Sequence, residues 1–336
     1  MSNSPIVSIV VAVFNMKEHI RQCIDSVLGQ SVQDIELILV DDVSTDGTDS
    51  ILKEYLQRDS RVKVVWQKEN AGAQIARNAG IAVSRGRYIT TLDHDDFLHP
   101  QAIEYAINAF GLHSDVHCVC FREQRLLPSG EIIEHKQTNS FGLITGEEAY
   151  RRSVDWHAIT GRMVVTRELQ MRIPFDNCER VYGEDNTAQL QFLASPMVAS
   201  CEGIYYHRLL HTSLSHKVSL NNIRGNTRFV SMRQQLIASS YPEEILRINE
   251  SAFWKSIVGS YHYYYLHRKQ FSQKARKEAL MLIKTMRNQC LMHLVYPSCK
   301  YKPGRWYMPS WQLFTLQLEI LLAIKYLIKG YPSTLQ

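Results

Sequence analysis

The sequence predicts an α/β protein: a doubly wound, mainly parallel sheet followed by a helical C-terminal region. Three observations carry this. Apolar strand runs alternate with helix-periodic segments through the first 125 residues. The runs are continuously apolar rather than alternating, as strands covered on both faces require. From about Asn226 onward the apolar periodicity is helical.

The elements read in order as follows. Ile6–Phe14 is an unbroken β-branched run, the expected first strand. Ile20, Cys23, Ile24, Val27 and Leu28 recur at helical spacing. Ile35–Val40 is a second strand ending at Asp41-Asp42, and Ser44–Gly47 is a turn and helix-start signal. Ile51, Leu52, Tyr55 and Leu56 give the next helix its apolar face. Val62–Trp66 is a third strand, Gly72–Ser84 a helix, and Tyr88–Leu92 a fourth strand that runs into Asp93–Asp96. A helix carrying Ile103, Ile107 and Phe110 and a strand Val116–Phe121 complete the alternation. Beyond Leu126 the pattern loosens. Gly146–Arg152 starts a helix, Ile159–Arg167 fits strand or helix, and Val181–Asn186 precedes a short helix at Thr187–Leu193. Residues 1–220 are therefore expected to form one α/β domain and 221–336 a helical region.

Composition narrows the class. With 336 residues, 45% hydrophobic and 21% charged, the chain is globular rather than disordered or fibrous. Seven scattered Cys include no CxxC pair, which argues against a zinc ribbon and for buried reduced thiols. The N-terminus runs straight into the first strand with no signal peptide, and no run of eighteen uncharged apolar residues occurs, so no spanning helix is expected. Between Tyr261 and Gly330, twelve Lys/Arg face two Glu. That imbalance, with Trp306, Tyr307, Trp311 and the leucine-rich segment after it, suggests contact with an anionic membrane surface. An amphipathic helix packed inside the protein or against a second subunit competes on equal terms. Nucleic acid is not an expected partner, because no recognised module accompanies the charge.

Doubly wound sheets bind ligands outside the carboxyl ends of their strands. The polar clusters fall at those ends: Asn15, Asp41-Asp42 and Asp93–Asp96. Asp93 and Asp95, one residue apart, suit Mg²⁺ or Mn²⁺ with positions left for water and phosphate oxygens. The plain alternative is that they cap the helix beginning near Pro100. His94 between them reads as a solvent-facing filler. Glu184-Asp185 offers a carboxylate base for an acceptor hydroxyl, with a helix-capping role as the structural alternative. Arg208, His211 and Ser213 put a guanidinium, an imidazole and a hydroxyl on one segment, a set suited to a phosphate-bearing leaving group. His207 and His216 read as packed or solvated. Trp156 is a candidate stacking platform for the apolar face of a ligand ring, and a core Trp equally well.

Val7–Asn15, Val40–Thr48, Asn70–Gly80, Tyr88–Asp96, Gly183–Asp185 and Tyr206–Ser215 together resemble, in order, the signature of glycosyltransferase family 2. The resemblance spans about residues 5–216. It implies the glycosyltransferase A-type fold and an inverting enzyme that uses a nucleotide sugar, of the bacterial surface-polysaccharide type. It further implies that Ala12 and Phe14 border the uracil and that Asp42 accepts the uracil N3 proton. Asn70 and Arg77 would line the nucleotide pocket, and Asp93 would lie near the ribose and metal. Asp95 would be the principal metal ligand, Asp185 the base and Glu184 its support, while Arg208, His211 and Ser213 would hold the diphosphate. Ala12 stands where Pro or Thr is common and Val43 where Gly is usual.

The implied cofactor is Mn²⁺ or Mg²⁺. The implied partners are a nucleoside-diphosphate sugar and a glycan or lipid-linked acceptor, with a homo-oligomer as a further candidate. The expected place is the cytoplasm, peripheral on the inner face of the cell membrane. The rivals are an inactive nucleotide-sugar-binding scaffold, a nucleotidyltransferase and a dinucleotide dehydrogenase. Asp95 and Asp185 argue against the first, and Val10–Lys17 lacks the Gly-rich basic loop of the second. No GxGxxG follows the first strand, as the third would require.

Overall fold

The computed structural model describes residues 4–134, 140–154, 159–176, 183–210, 218–296 and 310–329. The chain divides into two compact units, Met1–His211 and Thr212–Gln336.

The first unit is built as the apolar runs demand. β1 (Val7–Val13) and β2 (Ile35–Asp41) are almost wholly buried. With β3 (Val62–Trp66) and β4 (Tyr88–Thr91) they form a parallel block in the order β3-β2-β1-β4. The connections are helices α1 (Ile20–Leu28), α2 (Thr48–Arg58) and α3 (Ala73–Val83). Ile20, Cys23, Ile24 and Val27 form the buried stripe of α1, the spacing read from the sequence.

Beyond β4 the sheet becomes mixed. Following β5 (Phe97–Leu98), α4 (Ala102–Gly111), β6 (Val116–Leu126), β7 (Ile132–Glu134), β8 (Leu143–Thr145) and α5 (Gly146–Val154), the chain enters the middle of the sheet as β9 (Met163–Thr166). β9 lies antiparallel between β4 and β6, which resolves the ambiguity of the 159–167 segment in favour of a strand. It passes at once into α6 (Arg167–Arg172), where Thr166 Oγ1 caps the Leu169 N–H. Parallel pairing of neighbours needs a crossover; an antiparallel insertion needs none, so strict β–α alternation does not foresee it.

α7 (Gly183–Ala194) begins earlier than the sequence suggests, so Glu184 and Asp185 stand in its first turn rather than before it. β10 (Met197–Arg208) then runs parallel to β6 as the last strand described in the unit. Two carboxylates in a first turn sit favourably against the positive end of the helix.

One glycine sets the distance between helix and sheet. A Cβ on Gly80 of α3 would stand 2.5 Å from Val10 Cγ1 and 2.8 Å from Val40 Cγ2. α3 therefore lies directly on β1 and β2, which brings Gln74 and Arg77 to the strand ends. Cys23, Cys118, Cys120 and Cys201 are buried free thiols in this unit, as the scattered spacing implied.

The second unit is helical. It contains α8 (Asn221–Arg224), α9 (Arg228–Ala238), α10 (Glu243–His267), α11 (Gln273–Gln289) and α12 (Trp311–Lys329). Glu250 is fully buried on α10, where Arg233 Nη1 lies 3.0 Å from both carboxylate oxygens and the Leu291 N–H donates at 2.7 Å. A buried charge is tolerated only with such partners.

Gly80→Ala is expected to cost about 1–3 kcal/mol, the usual range for overpacking a tight interface. Urea unfolding of the variant measures this; a stability equal to wild type would mean that α3 does not sit hard against the sheet.

Candidate active site

The loops at the carboxyl ends of β1, β2, β4 and β10 converge. Asn15 follows β1 with φ of 49°, a left-handed conformation that Asn tolerates. Its backbone N–H donates to Ser44 Oγ, and its Oδ1 accepts from the Thr45 N–H at 2.7 Å. Asp46 closes the same corner, accepting from the N–H groups of Lys17 and Thr48. The first and second loops are thus tied together by side chains satisfying backbone donors. Val43 in the second loop has φ of 67°. A β-branched residue is strained there, which is the physical reason Gly is usual at this position.

Asp42 is buried, and its two carboxylate oxygens accept from the N–H groups of Ala71 and Gly72, each at 2.9 Å. Asn70 Nδ2 donates to the Asp42 carbonyl. Asp42 therefore shapes the turn that leads into α3, and each carboxylate oxygen keeps a second lone pair. Phe14 is 41% exposed at the end of β1. Ala12 beside it contributes its carbonyl, 2.9 Å from His94 Nδ1. That nitrogen must carry the proton, since the carbonyl can only accept. His94 is therefore a half-buried tie between the β4 loop and β1 rather than a solvent-facing filler.

Arg77 is the hinge of the site. Its guanidinium is buried, with Nη2 2.6 Å from Asp93 Oδ1 and Nη1 3.0 Å from Glu184 Oε2. Gln74 Nε2 donates to the same Glu184 oxygen at 2.6 Å. One side chain of α3 thus joins the β4 carboxylates to the first turn of α7. Burial alone would raise the Asp93 carboxyl, but Arg77, Arg162 and His94 outweigh it and hold it at about 2. The resemblance implies a place for Arg77 in the segment lining the nucleotide pocket; there its guanidinium is paired with these two carboxylates.

A second buried network lies behind the Asp93–Asp96 loop, and sequence reasoning missed most of it. Arg162, just before β9, sits over the Tyr205 ring at 4.7 Å and lies 3.3 Å from Glu123 and 3.7 Å from Asp96. The Tyr205 hydroxyl accepts from the Asp93 N–H. Asp96 Oδ1 accepts from the Arg208 N–H at 2.8 Å. Burial first, then the negative neighbour Asp93, pushes the Asp96 carboxyl up to about 7. His207 pairs with Glu123 at 3.3 Å, so it is a packed His, as its sequence context suggests. A charged residue directly abutting an apolar run, as with Arg162 before Met163-Val164-Val165, was the available signal.

Arg208 reaches the same place from β10. Its Nε donates to the Asp95 carbonyl at 2.9 Å, its Nη2 meets Gln22, and its guanidinium lies over Phe97. The Asp95 carboxylate accepts no hydrogen bond among the described residues, while Asp93 and Asp96 are engaged on both sides of it. No group of three or more His, Cys, Asp or Glu that could together hold a metal ion occurs among the described residues. A Mg²⁺-type ion needs only one or two carboxylates beside phosphate oxygens and water, so Asp95 with Asp93 fits it. His211, Ser213 and Trp156 lie outside the described residues.

Residues 8–171 match the profile of glycosyl transferase family 2. That stretch, just under half of the chain, is similar to the family's glycosyltransferase domain. The chain is similar to the glycosyltransferase GlyG of Streptococcus pneumoniae, 28% identical over 61% of this chain and 71% of that protein. It is also similar to the chondroitin synthase of Escherichia coli, 36% identical over 39% of this chain but only 19% of the synthase. Among solved structures, Staphylococcus aureus TarS 1-349 in complex with UDP superposes with a TM-score of 0.69 at 13% identity, over 95% of this chain and 90% of that one. The mannosyltransferase PcManGT of Pyrobaculum calidifontis, solved with GDP-Man and Mn²⁺, gives 0.54 at 16% identity, over 97% and 88%. At these identities the two structures share the fold, the glycosyltransferase A-type expected from the sequence.

Removing the clamp should be visible in stability. Arg77→Met is expected to cost about 1–2 kcal/mol, less than the 3–5 typical of a fully buried pair, because Asp93 and Glu184 are 41% and 50% exposed. Arg77→Lys keeps the charge but not the two-armed fork and should fall in between. Identical unfolding curves for all three proteins would exclude the clamp.

Proposed function

We propose that the chain transfers a sugar with inversion from a UDP-sugar to a hydroxyl of a glycan or lipid-linked acceptor. The observation that carries this is the Arg77 clamp, which sets two carboxylate groups of different character side by side. Asp93-Asp95 stand at a strand end and Glu184-Asp185 in a helix turn, with one guanidinium between them. Relatives named for polysaccharide synthesis support the acceptor class, and the TarS complex with UDP supports the donor class.

In this reading Phe14 faces the base and Asp42 offers it a remaining lone pair. Asn70 fixes the turn beneath. Arg208 lies beside Asp95, where positive charge favours the departing diphosphate. Mn²⁺ or Mg²⁺, held by Asp95 with Asp93, would supply further neutralisation of the diphosphate. The acceptor oxygen attacks the anomeric carbon from the face opposite the diphosphate, and the bond to the diphosphate oxygen breaks. Asp185 takes the acceptor proton as the new bond forms. Glu184 Oε2 already accepts from Arg77 and Gln74, which suits a supporting part. Residues 1–220 would be the catalytic part, with His211, Ser213 and Trp156 completing the diphosphate and acceptor contacts. The same reading carries a cytoplasmic location, on the inner face of the cell membrane.

Three measurements test it. UDP with Mn²⁺ should raise the melting temperature by mass action, and Asp95→Asn should abolish the Mn²⁺-dependent part while leaving the fold intact. Normal turnover of that variant in excess chelator would sink the metal role. Asp185→Asn should lower turnover by about 10²–10⁴-fold with donor affinity little changed. NMR of the product should give the anomeric configuration opposite to the donor's, and retention would rule out single displacement.

A further inference from the structure

The second unit carries an apolar surface that the transfer reaction does not use. α12 is apolar on two sides. Phe314, Leu318, Leu322 and Tyr326, four residues apart, form a buried stripe. Phe314 packs against Trp254 and Tyr261 of α10, and Tyr326 against Tyr265. The opposite side presents Leu313, Leu316, Ile320, Leu321, Ile324, Leu327 and Ile328 to solvent. Exposure there rises to 88% at Leu327 and 75% at Ile328. Such a contiguous patch of large aliphatic side chains marks an interaction surface.

The helix is long and apolar enough to cross a membrane by length and composition alone. Its packing opposes that. The buried stripe is committed to α10, and Glu319 near its middle accepts from Tyr261 and pairs with Arg268 at 2.6 Å. Crossing would strip those contacts and carry Glu319 into hydrocarbon. A helix held this way can lie in an interface with its free side down.

Charge selects the occupant. The unit from Thr212 to Gln336 holds eighteen Lys/Arg against five Glu and no Asp. Exposed Lys269, Lys274, Arg276, Lys277, Lys284 and Lys325 belong to it. A second copy of so basic a unit would be repelled, whereas an anionic lipid surface is attracted. The free arc also covers about two-fifths of the helix circumference, wider than the two-position seam along which helices pair.

We propose that the outward side of α12 is a lipid-docking surface that seats the second unit on an anionic bilayer. This deepens the membrane-side location given above but does not depend on the reaction. Docking here would hold the chain at the surface where a lipid-linked acceptor resides.

The test is co-sedimentation of the full chain with vesicles of phosphatidylcholine alone or mixed with phosphatidylglycerol, with no donor present. The chain should pellet with the mixed vesicles and not the neutral ones. The bound fraction should fall about tenfold when salt is raised from roughly 0.1 M to 0.5 M. Leu316→Gln, Ile320→Gln, Ile324→Gln and Leu327→Gln combined should abolish binding with an unchanged melting curve, because all four are exposed. Leu327→Gln alone should weaken it and serves if the combined variant is unstable. Vesicle binding by wild type that no substitution reduces overturns the proposal. So does the absence of vesicle binding together with a wild-type dimer, seen by sedimentation velocity, that Leu327→Gln dissociates; that result would assign the surface to a second copy. Because no sugar donor enters the experiment, its failure and that of the transferase reading are distinguishable.

Discussion

The site depends on one buried cation. Arg77 comes off α3 with almost no access to solvent, and a guanidinium cannot shed its charge. It must therefore be met by acceptors, and the two carboxylates among them, Asp93 and Glu184, come from elements far apart in sequence. The strand-end carboxylates and the first turn of α7 consequently cannot move independently. The same contact keeps the Asp93 carboxyl at about 2 although its surroundings are partly desolvated. It also leaves Asp95, two residues on, as the carboxylate of the loop with no protein acceptor duty among the described residues. Gly80 is the remote condition for this arrangement, because any side chain there would lift α3 off β1 and β2.

Around the clamp, loops at the strand ends are held by polar side chains rather than by apolar packing. Asp42 binds two backbone donors of the loop before α3, Asn15 and Asp46 tie the first loop to the second, and His94 ties the fourth strand's loop to the first. Asp96 performs the same service for Arg208. Loops that face water cannot be fixed by hydrophobic burial, so hydrogen bonding to backbone groups sets their shape. The nucleotide pocket proposed here, lined this way, would be preformed, and binding would not need to spend free energy ordering it.

The two units differ in charge as well as in architecture. Nearly all of the chain's acidic residues lie before Thr212, and the basic excess lies after it. The division matches the separate tasks proposed for them: carboxylate chemistry on a sugar donor in one, attraction to an anionic surface in the other. It also explains why a net charge of only +5 says little about either.

The sequence by itself determined the parallel block and its helices, because β-branched runs and 3.6-residue periodicity are local signals. It also determined which strand ends carry carboxylates, since each motif is contiguous. Tertiary structure decided the rest. The antiparallel entry of β9 depends on long-range pairing that a short run such as Met163–Thr166 does not encode in its own pattern. The partners of Arg77, Arg162 and Asp96 lie up to 112 residues away, so their roles as ties could not be read from spacing. Likewise the leucine-rich pattern of α12 marked it as amphipathic. Only packing against α10 revealed which of its apolar sides is spent and which remains free, because burial is a property of neighbours and not of the helix alone.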